Sequence, residues 1–230
     1  MTVAAPAAIE LEGLTRRYGE RVALAGVTLA LPAGATLVVF GPNGAGKSTL
    51  LRILATLLRQ HAGTARVLGH ALPDEGWAVR GQVGLLGHEP LVYRDLTARE
   101  NLRFHARLHG VDLERVEELL DRVGLARRAD DKVHTYSRGM VQRLAVARAV
   151  LHDPAVLLLD EPRASLDPAG AELVEPLIGA AGGRTRVITS HDPAGGLAEA
   201  DIALGLRAGR PALLAPAGEV DSAEIGALYR

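Results

Sequence analysis

The N-terminal part of the chain alternates between short apolar runs and turn residues. IELEGL (9–14) and VALAGVTLAL (22–31) predict strands, broken at Tyr18-Gly19 and at Pro32-Ala33-Gly34. ATLVVF (35–40) is a continuous apolar run, the pattern of a strand covered on both faces. LLRILATLLR (50–59) changes to helical spacing, and TARVLGH (64–70) returns to a strand pattern.

From about residue 97 to 151 the texture is helical. TARENLRFHARLHG, LERVEELLDRVG and RGMVQRLAVARAVLH predict three amphipathic helices. Met140, Leu144, Ala147 and Leu151 fall on one face of the last, and the second closes on a glycine, a common C-terminal stop. After Pro154 the strands resume as AVLLLD (155–160), TRVITS (185–190) and DIALGLR (201–207), with helical segments between. The segment after 215 starts Ala/Gly/Pro-rich and then has the pattern of a short helix. The order predicts an α/β fold with an all-helical insertion. We place a core at about 1–84 and 153–230, and a helical subdomain at about 85–152.

Composition narrows this picture by exclusion. Lys and Arg number 26 against 27 Asp and Glu, so nothing electrostatic points to nucleic acid. Cysteine is absent, which removes disulfides and thiolate metal sites. The start, MTVAAPAAIELEG, has neither a basic head nor a long apolar run and does not read as a signal peptide. No stretch reaches the ~18 uninterrupted apolar residues of a membrane span, so a soluble protein is expected. The cations are nearly all Arg; Lys47 and Lys132 are the two lysines, which makes the position of Lys47 informative.

Lys47 lies in GPNGAGKS, a match to the phosphate-loop pattern G-x-x-x-x-G-K-[ST]. The loop follows a predicted buried strand and opens a predicted helix, as the mechanism requires. Gly41, Gly44 and Gly46 let the backbone, including Pro42, Asn43 and Ala45, curl so that N–H groups face phosphate oxygens. The helix start, with Thr49, adds its positive dipole end. Lys47 supplies a compact charge for the β- and γ-phosphates, and Ser48 a hydroxyl for Mg²⁺. AVLLLDEP then brings two carboxylates to the C-terminal end of a buried strand, where ligands bind in open α/β sheets. Asp160 is placed to hold Mg²⁺, and Glu161 to act as general base on the attacking water. In TYSRGMVQRLAVARA, Ser137 and Gly139 begin a helix, either as a cap or as a second anion site.

These pieces together resemble the ATP-binding subunit of ATP-binding-cassette (ABC) transporters, over essentially the whole chain. The phosphate loop is 41–49, the signature is YSRGM (136–140), the Asp-Glu pair is Asp160 and Glu161, the D-loop is SLD with Asp167, and TSHDP carries the switch histidine, His191. The resemblance implies a P-loop NTPase core with an N-terminal antiparallel β part. It implies that Tyr18 stacks on adenine and that His191 meets the γ-phosphate. It also implies a head-to-tail dimer, most simply a homodimer, with each ATP between one phosphate loop and the other subunit's Ser137 and Gly139. A separate integral membrane permease would hold the subunit at the cytoplasmic face of the membrane. Arg138 and Met140 depart from the usual LSGGQ signature at its Gly and Gln positions.

His88 stands before Glu-Pro where the family usually has Gln. Imidazole is a poor Mg²⁺ ligand, so His88 is expected to hydrogen-bond a metal-bound or attacking water, or else to be a plain loop residue. GHEP with LTAREN is similar to the ATP-binding subunit of the haem exporter of cytochrome c maturation, and this gives the leading expectation for cargo. The alternative is an exporter of drugs, lipids or polysaccharides. A soluble ABC protein of ribosomes or DNA fits less well, for want of a second cassette, heptads or a basic patch. A degenerate cassette is opposed by Glu161 and His191. Among Trp77, Leu91, Val92 and Tyr93 we expect some to line a groove for a cytosolic helix of the permease.

Overall fold

The computed structural model describes residues 7–229; part of the leader reading, residues 1–6, lies outside them. Strand β1 (Ala7–Tyr18) turns at Gly19 into β2 (Arg21–Pro32). In β2, Val27, Leu29 and Leu31 are buried while Thr28 and Ala30 are exposed, the period of two of a half-covered strand. Strand β3 (Thr36–Phe40) is buried throughout and feeds helix α1 (Lys47–Leu54). Strands β4 (Ala62–Val67) and β5 (His70–Leu72), helix α2 (Gly76–Val79) and strand β6 (Val83–Leu86) follow. Helices α3 (Ala98–His109), α4 (Leu113–Arg122) and α5 (Arg138–Val150) come next, then strand β7 (Val156–Asp160), helix α6 (Pro168–Ile178) and strand β8 (Thr185–Thr189). Helix α7 (Pro193–Ala198), strands β9 (Ile202–Arg207) and β10 (Arg210–Pro216) and helix α8 (Ser222–Ala227) complete the chain.

The strands make two sheets. An antiparallel sheet has the order β2-β1-β4-β5; a six-stranded sheet has the order β10-β9-β3-β8-β7-β6, parallel except at β10. The apolar runs of β3 and β7 have no polar side because both faces of this sheet are covered. Val38, Phe40, Leu157 and Leu159 pack with the helices, while Leu37, Val39, Val156 and Leu158 pack with α1 and the antiparallel sheet. Among the described residues, no helix is long and apolar enough to cross a membrane.

The structure departs from the pattern in three places. Helix α1 stops at Leu54 rather than continuing to 59, because Thr56 adopts a left-handed φ of 61°. Tertiary contact holds it there: Arg80 Nε donates to Thr56 Oγ1 at 3.1 Å. Leu57 is consequently 63% exposed. Strand β10 was masked in the sequence by Pro211 and Pro216, which an edge strand tolerates. Helix α5 is less amphipathic than expected; beyond the predicted face, Ala145, Val146, Ala149 and Val150 are buried too.

Two half-buried basic side chains connect α5 and its C-terminal turn to β6, whose one strand neighbour among the described residues is β7. Arg148 donates to the carbonyl of Leu85 at 2.5 Å, and His152 Nε2 lies 3.1 Å from the carbonyl of Val83. A carbonyl only accepts, so His152 carries its proton on Nε2. Its ring stacks on that of His109, with centroids 4.0 Å apart.

This packing has a pH consequence. Burial, then the charge of Arg148 and the neighbouring His109 and His152, lowers His105 from 6.5 to about 4. Burial, then His109, lowers His152 to about 4, with the Val83 hydrogen bond and Asp153 acting in the opposite direction. The unfolded chain therefore takes up protons first. Stability is full above the unfolded value of 6.5 and falls as pH drops from there toward 4. We expect the melting temperature to decline between pH 7 and pH 5, and less so in His105→Leu. Equal slopes in the two proteins would remove His105 from the explanation.

Candidate functional site

The C-terminal ends of β3, β8, β7 and β6, four neighbours in the sheet, gather most of the expected chemistry. The phosphate loop leaves β3 through Gly41, with φ 143°, where an added Cβ would lie 2.2 Å from the Leu206 carbonyl oxygen. At Gly46, φ 110°, a Cβ would lie 2.3 Å from the Ala23 carbonyl oxygen. Only glycine fits either position. The resulting curl makes Asn43, Gly44, Ala45, Gly46, Lys47 and Ser48 one wall of a cavity of about 340 Å³. His88, Asp160 and Glu161 form the other wall. Pro42 and Thr49 belong to the loop and to α1 without lining the cavity.

Lys47 is 8% exposed and arches back over the loop, its Nζ donating to the carbonyls of Gly41 at 2.6 Å and Pro42 at 3.3 Å. Burial holds its ammonium below the usual lysine range, against the opposing pull of Glu161 and Asp160. Ser48 Oγ donates to Asp160 Oδ2 at 2.7 Å. The two oxygen groups that the sequence assigned to a cation are thus already adjacent, a hard-oxygen donor pair suited to Mg²⁺. Among the described residues, no cluster of three or more His, Cys, Asp or Glu is arranged to hold a metal ion.

Thr189, at the end of β8, was not singled out in the sequence. Its Oγ1 donates to Asp160 Oδ1 at 2.6 Å and accepts from the Glu161 backbone N–H at 3.0 Å. It fixes both acidic residues at once. Glu161 has a left-handed φ of 52°, a strained conformation for a residue with a long side chain. His191 Nε2 lies 2.6 Å from Glu161 Oε1. His191 faces a second cavity, of about 410 Å³, which shares Glu161 with the first.

Two other residues reach the loop from afar. Arg21 extends from β2 to the Gly44 carbonyl at 3.5 Å. The Gly41 N–H donates to the Tyr229 hydroxyl at 3.3 Å, and the Tyr229 ring stands 6.4 Å from that of His191. Neither contact has a local cue, since the partners lie 23 and 188 residues apart along the chain.

Tyr18, Ser137, Gly139 and Asp167 are not walls of the phosphate-loop cavity. Tyr18 is 44% exposed, with the Arg16 guanidinium 5.0 Å from its ring centre. Ser137 caps α5, its Oγ accepting from the Met140 N–H at 3.2 Å, and is itself exposed. Asp167 caps α6 by accepting from the Gly170 N–H at 2.8 Å. Gly139 lies against the D-loop, where an added Cβ would be 3.2 Å from the Ser165 carbonyl oxygen. Arg138 is exposed and Met140 half-buried. Of the proposed groove residues, Trp77, Leu91 and Tyr93 are exposed, whereas Val92 packs against the core and is withdrawn from that set.

The sequence model of the family described as "ABC transporter" matches residues 24–164. The chain is 42% identical over 189 residues to the daunorubicin resistance ATP-binding protein DrrA3 of Streptomyces coeruleorubidus, covering 80% of this chain and 60% of that protein. It is 34% identical over 191 residues to the linearmycin resistance ATP-binding protein LnrL of Bacillus subtilis (strain 168), covering 80% and 61%. This chain therefore spans about three fifths of the length of these two relatives. Its fold superposes on a dimeric post-hydrolysis state of the ATP-binding cassette MJ0796 bound to ADP and Pi, with a TM-score of 0.82 and 26% identity over 91% of this chain and 98% of that one.

Proposed function

The chain belongs to the ABC transporter family, and on that premise we propose that it binds and hydrolyses ATP to drive a separate membrane permease. The observation that carries this reading is the single cavity walled by the phosphate loop, Asp160, Glu161 and His88. Lys47 and the loop N–H groups receive the phosphates. Ser48 and Asp160 hold Mg²⁺, which supplies charge neutralisation at the phosphate oxygens. Glu161 accepts a proton from the attacking water. His191, at hydrogen-bonding distance, fixes the orientation of Glu161 and takes part near the γ-phosphate. His88 lines the same cavity, which favours the water-binding role over a plain loop residue.

Ser137 and Gly139 lie outside this cavity, and Ser137 is exposed. That placement suits a second subunit that contributes them across a head-to-tail interface. ATP then adds contacts present only in the closed pair, and hydrolysis removes them. MJ0796, described as a dimer bound to ADP and Pi, supports association in pairs.

For cargo, the relatives named for daunorubicin and linearmycin resistance favour the alternative reading, export of a drug-like compound. Haem export, the leading expectation from the stretch around His88, has no support from these relatives. Trp77, Leu91 and Tyr93 remain candidates for the permease contact.

The test is a measurement of Mg²⁺-dependent ATP hydrolysis by the purified chain, with co-purification from gently solubilised membranes. We expect activity to rise more steeply than linearly with protein concentration and a multi-span permease to be recovered. Recovery of ribosomal or DNA-repair proteins without a permease would overturn the transport reading. Tyr18→Ala should raise KM for ATP about tenfold, the scale of one base-stacking contact, with kcat little changed. An unchanged KM would remove Tyr18 from the nucleotide site.

A further inference from the structure

A third cavity, of about 170 Å³, opens beside the free side of β6 and shares no lining residue with the phosphate-loop cavity. Its polar wall is basic. Arg148 and His152 come from α5 and the turn after it, His105 and His109 from α3, and Arg80 from the turn before β6. Among the described residues, no Asp or Glu lines this cavity. Asp153, which follows His152, is held by Arg184. Arg80 is engaged with Thr56, and Arg148 and His152 each use one nitrogen on a β6 carbonyl. Arg148 Nε, His105 Nε2 and His152 Nδ1 remain buried without a hydrogen-bond partner.

This is an unusual arrangement. A desolvated guanidinium ordinarily has a carboxylate beside it, and here only burial acts on Arg148, lowering its pKa to about 10. The rim has the opposite character: Leu57 and Leu91 line the cavity and are 63% and 45% exposed. A basic floor under an apolar rim is complementary to an acidic side chain carried on an apolar helix. Arginine pairs with a carboxylate through two parallel hydrogen bonds, and an imidazole gains a proton when an anion arrives beside it.

We propose that this cavity is a carboxylate-binding site that receives an Asp or Glu side chain from an apolar helical segment of the partner membrane subunit. Naming that subunit as the source rests on the function proposed above; the carboxylate chemistry does not. Occupation places the anion against Arg148 and His105 and draws a proton onto the histidine cluster, so docking tightens as pH falls.

The test uses the full chain and butyrate, which reproduces a glutamate side chain, with its uncharged analogue butyramide and with inorganic phosphate as controls. Imidazole resonances are assigned with His105→Leu and His152→Gln and followed by NMR against pH. We expect butyrate to raise the midpoints of His105 and His152 by about one pH unit, and butyramide to leave them unchanged. Arg148→Met should weaken the butyrate response at least about tenfold, the size of one charge-assisted hydrogen bond. If Arg148→Met does not fold because β6 loses a partner, His105→Leu, which leaves both β6 contacts in place, should weaken the His152 response instead. No response to butyrate, or an equal response to phosphate, overturns the proposal. ATP hydrolysis in the same sample reports separately on the proposed function: hydrolysis without a butyrate response sinks this inference alone, and a butyrate response without hydrolysis sinks the function alone.

Discussion

Glu161→Gln is expected to lower steady-state ATP hydrolysis by about 10²–10⁴-fold, the contribution of a positioned general base, while leaving ATP affinity within about twofold. The substitution preserves the side chain's volume and its reach toward His191, which lies 2.6 Å from the carboxylate. It preserves the Thr189 contact as well, since that uses the backbone N–H of residue 161. What it removes is the capacity to take a proton. Bound ATP then persists, and the closed dimer accumulates in size-exclusion chromatography with Mg²⁺ and ATP. Single-turnover hydrolysis within tenfold of the unaltered chain would show that the base is another group. His191→Ala separates the roles: if His191 only orients Glu161, the loss of turnover is smaller than in Glu161→Gln.

Lys47→Met should weaken ATP binding by at least about 100-fold, because a charge-assisted contact in a buried setting is worth some 1.5–3 kcal/mol and the phosphates lose their compact counter-charge as well. Its effect on folding runs the other way. Lys47 is 8% exposed, and its ammonium is destabilised by burial. Methionine fills a similar volume without that cost, and Asp160 retains its bonds from Ser48 and Thr189. The nucleotide-free variant should melt within a few degrees of the parent, while ATP no longer raises its melting temperature. Calorimetry with and without ATP reads both effects. A variant still stabilised by ATP would remove Lys47 from the phosphate site.

The site was legible where chemistry and local sequence coincide. The phosphate loop announced itself because Gly41, Gly46, Lys47 and Ser48 are neighbours, and because a buried strand and a helix flank them. The Asp-Glu pair was legible because an apolar run ends on it. Contacts across the sequence were not. Arg186 reads as a stray charge in a strand, yet it is 1% exposed and bonded to Thr36, to the Ile178 carbonyl and to Glu199. Thr189, Arg21 and Tyr229 reach the site by folding alone. The apolar spacing of helix α1 continues past Thr56, whereas the helix itself ends before the left-handed Thr56 that Arg80 holds. The three histidines around Arg148 are spread over α3 and the turn after α5, and nothing in their spacing shows that they meet.

The margins of the six-stranded sheet also bear on how copies of this protein can associate. On β10, Pro211 and Pro216 offer no N–H, and on β6 the Val83 and Leu85 carbonyls are already engaged. Neither margin is a good template for an added strand from another chain. Polymer growth by strand addition is therefore disfavoured even at the high local concentration of a crowded surface. The proposed pairing of subunits uses the loop-bearing end of the sheet instead, where association can be reversed by loss of the nucleotide.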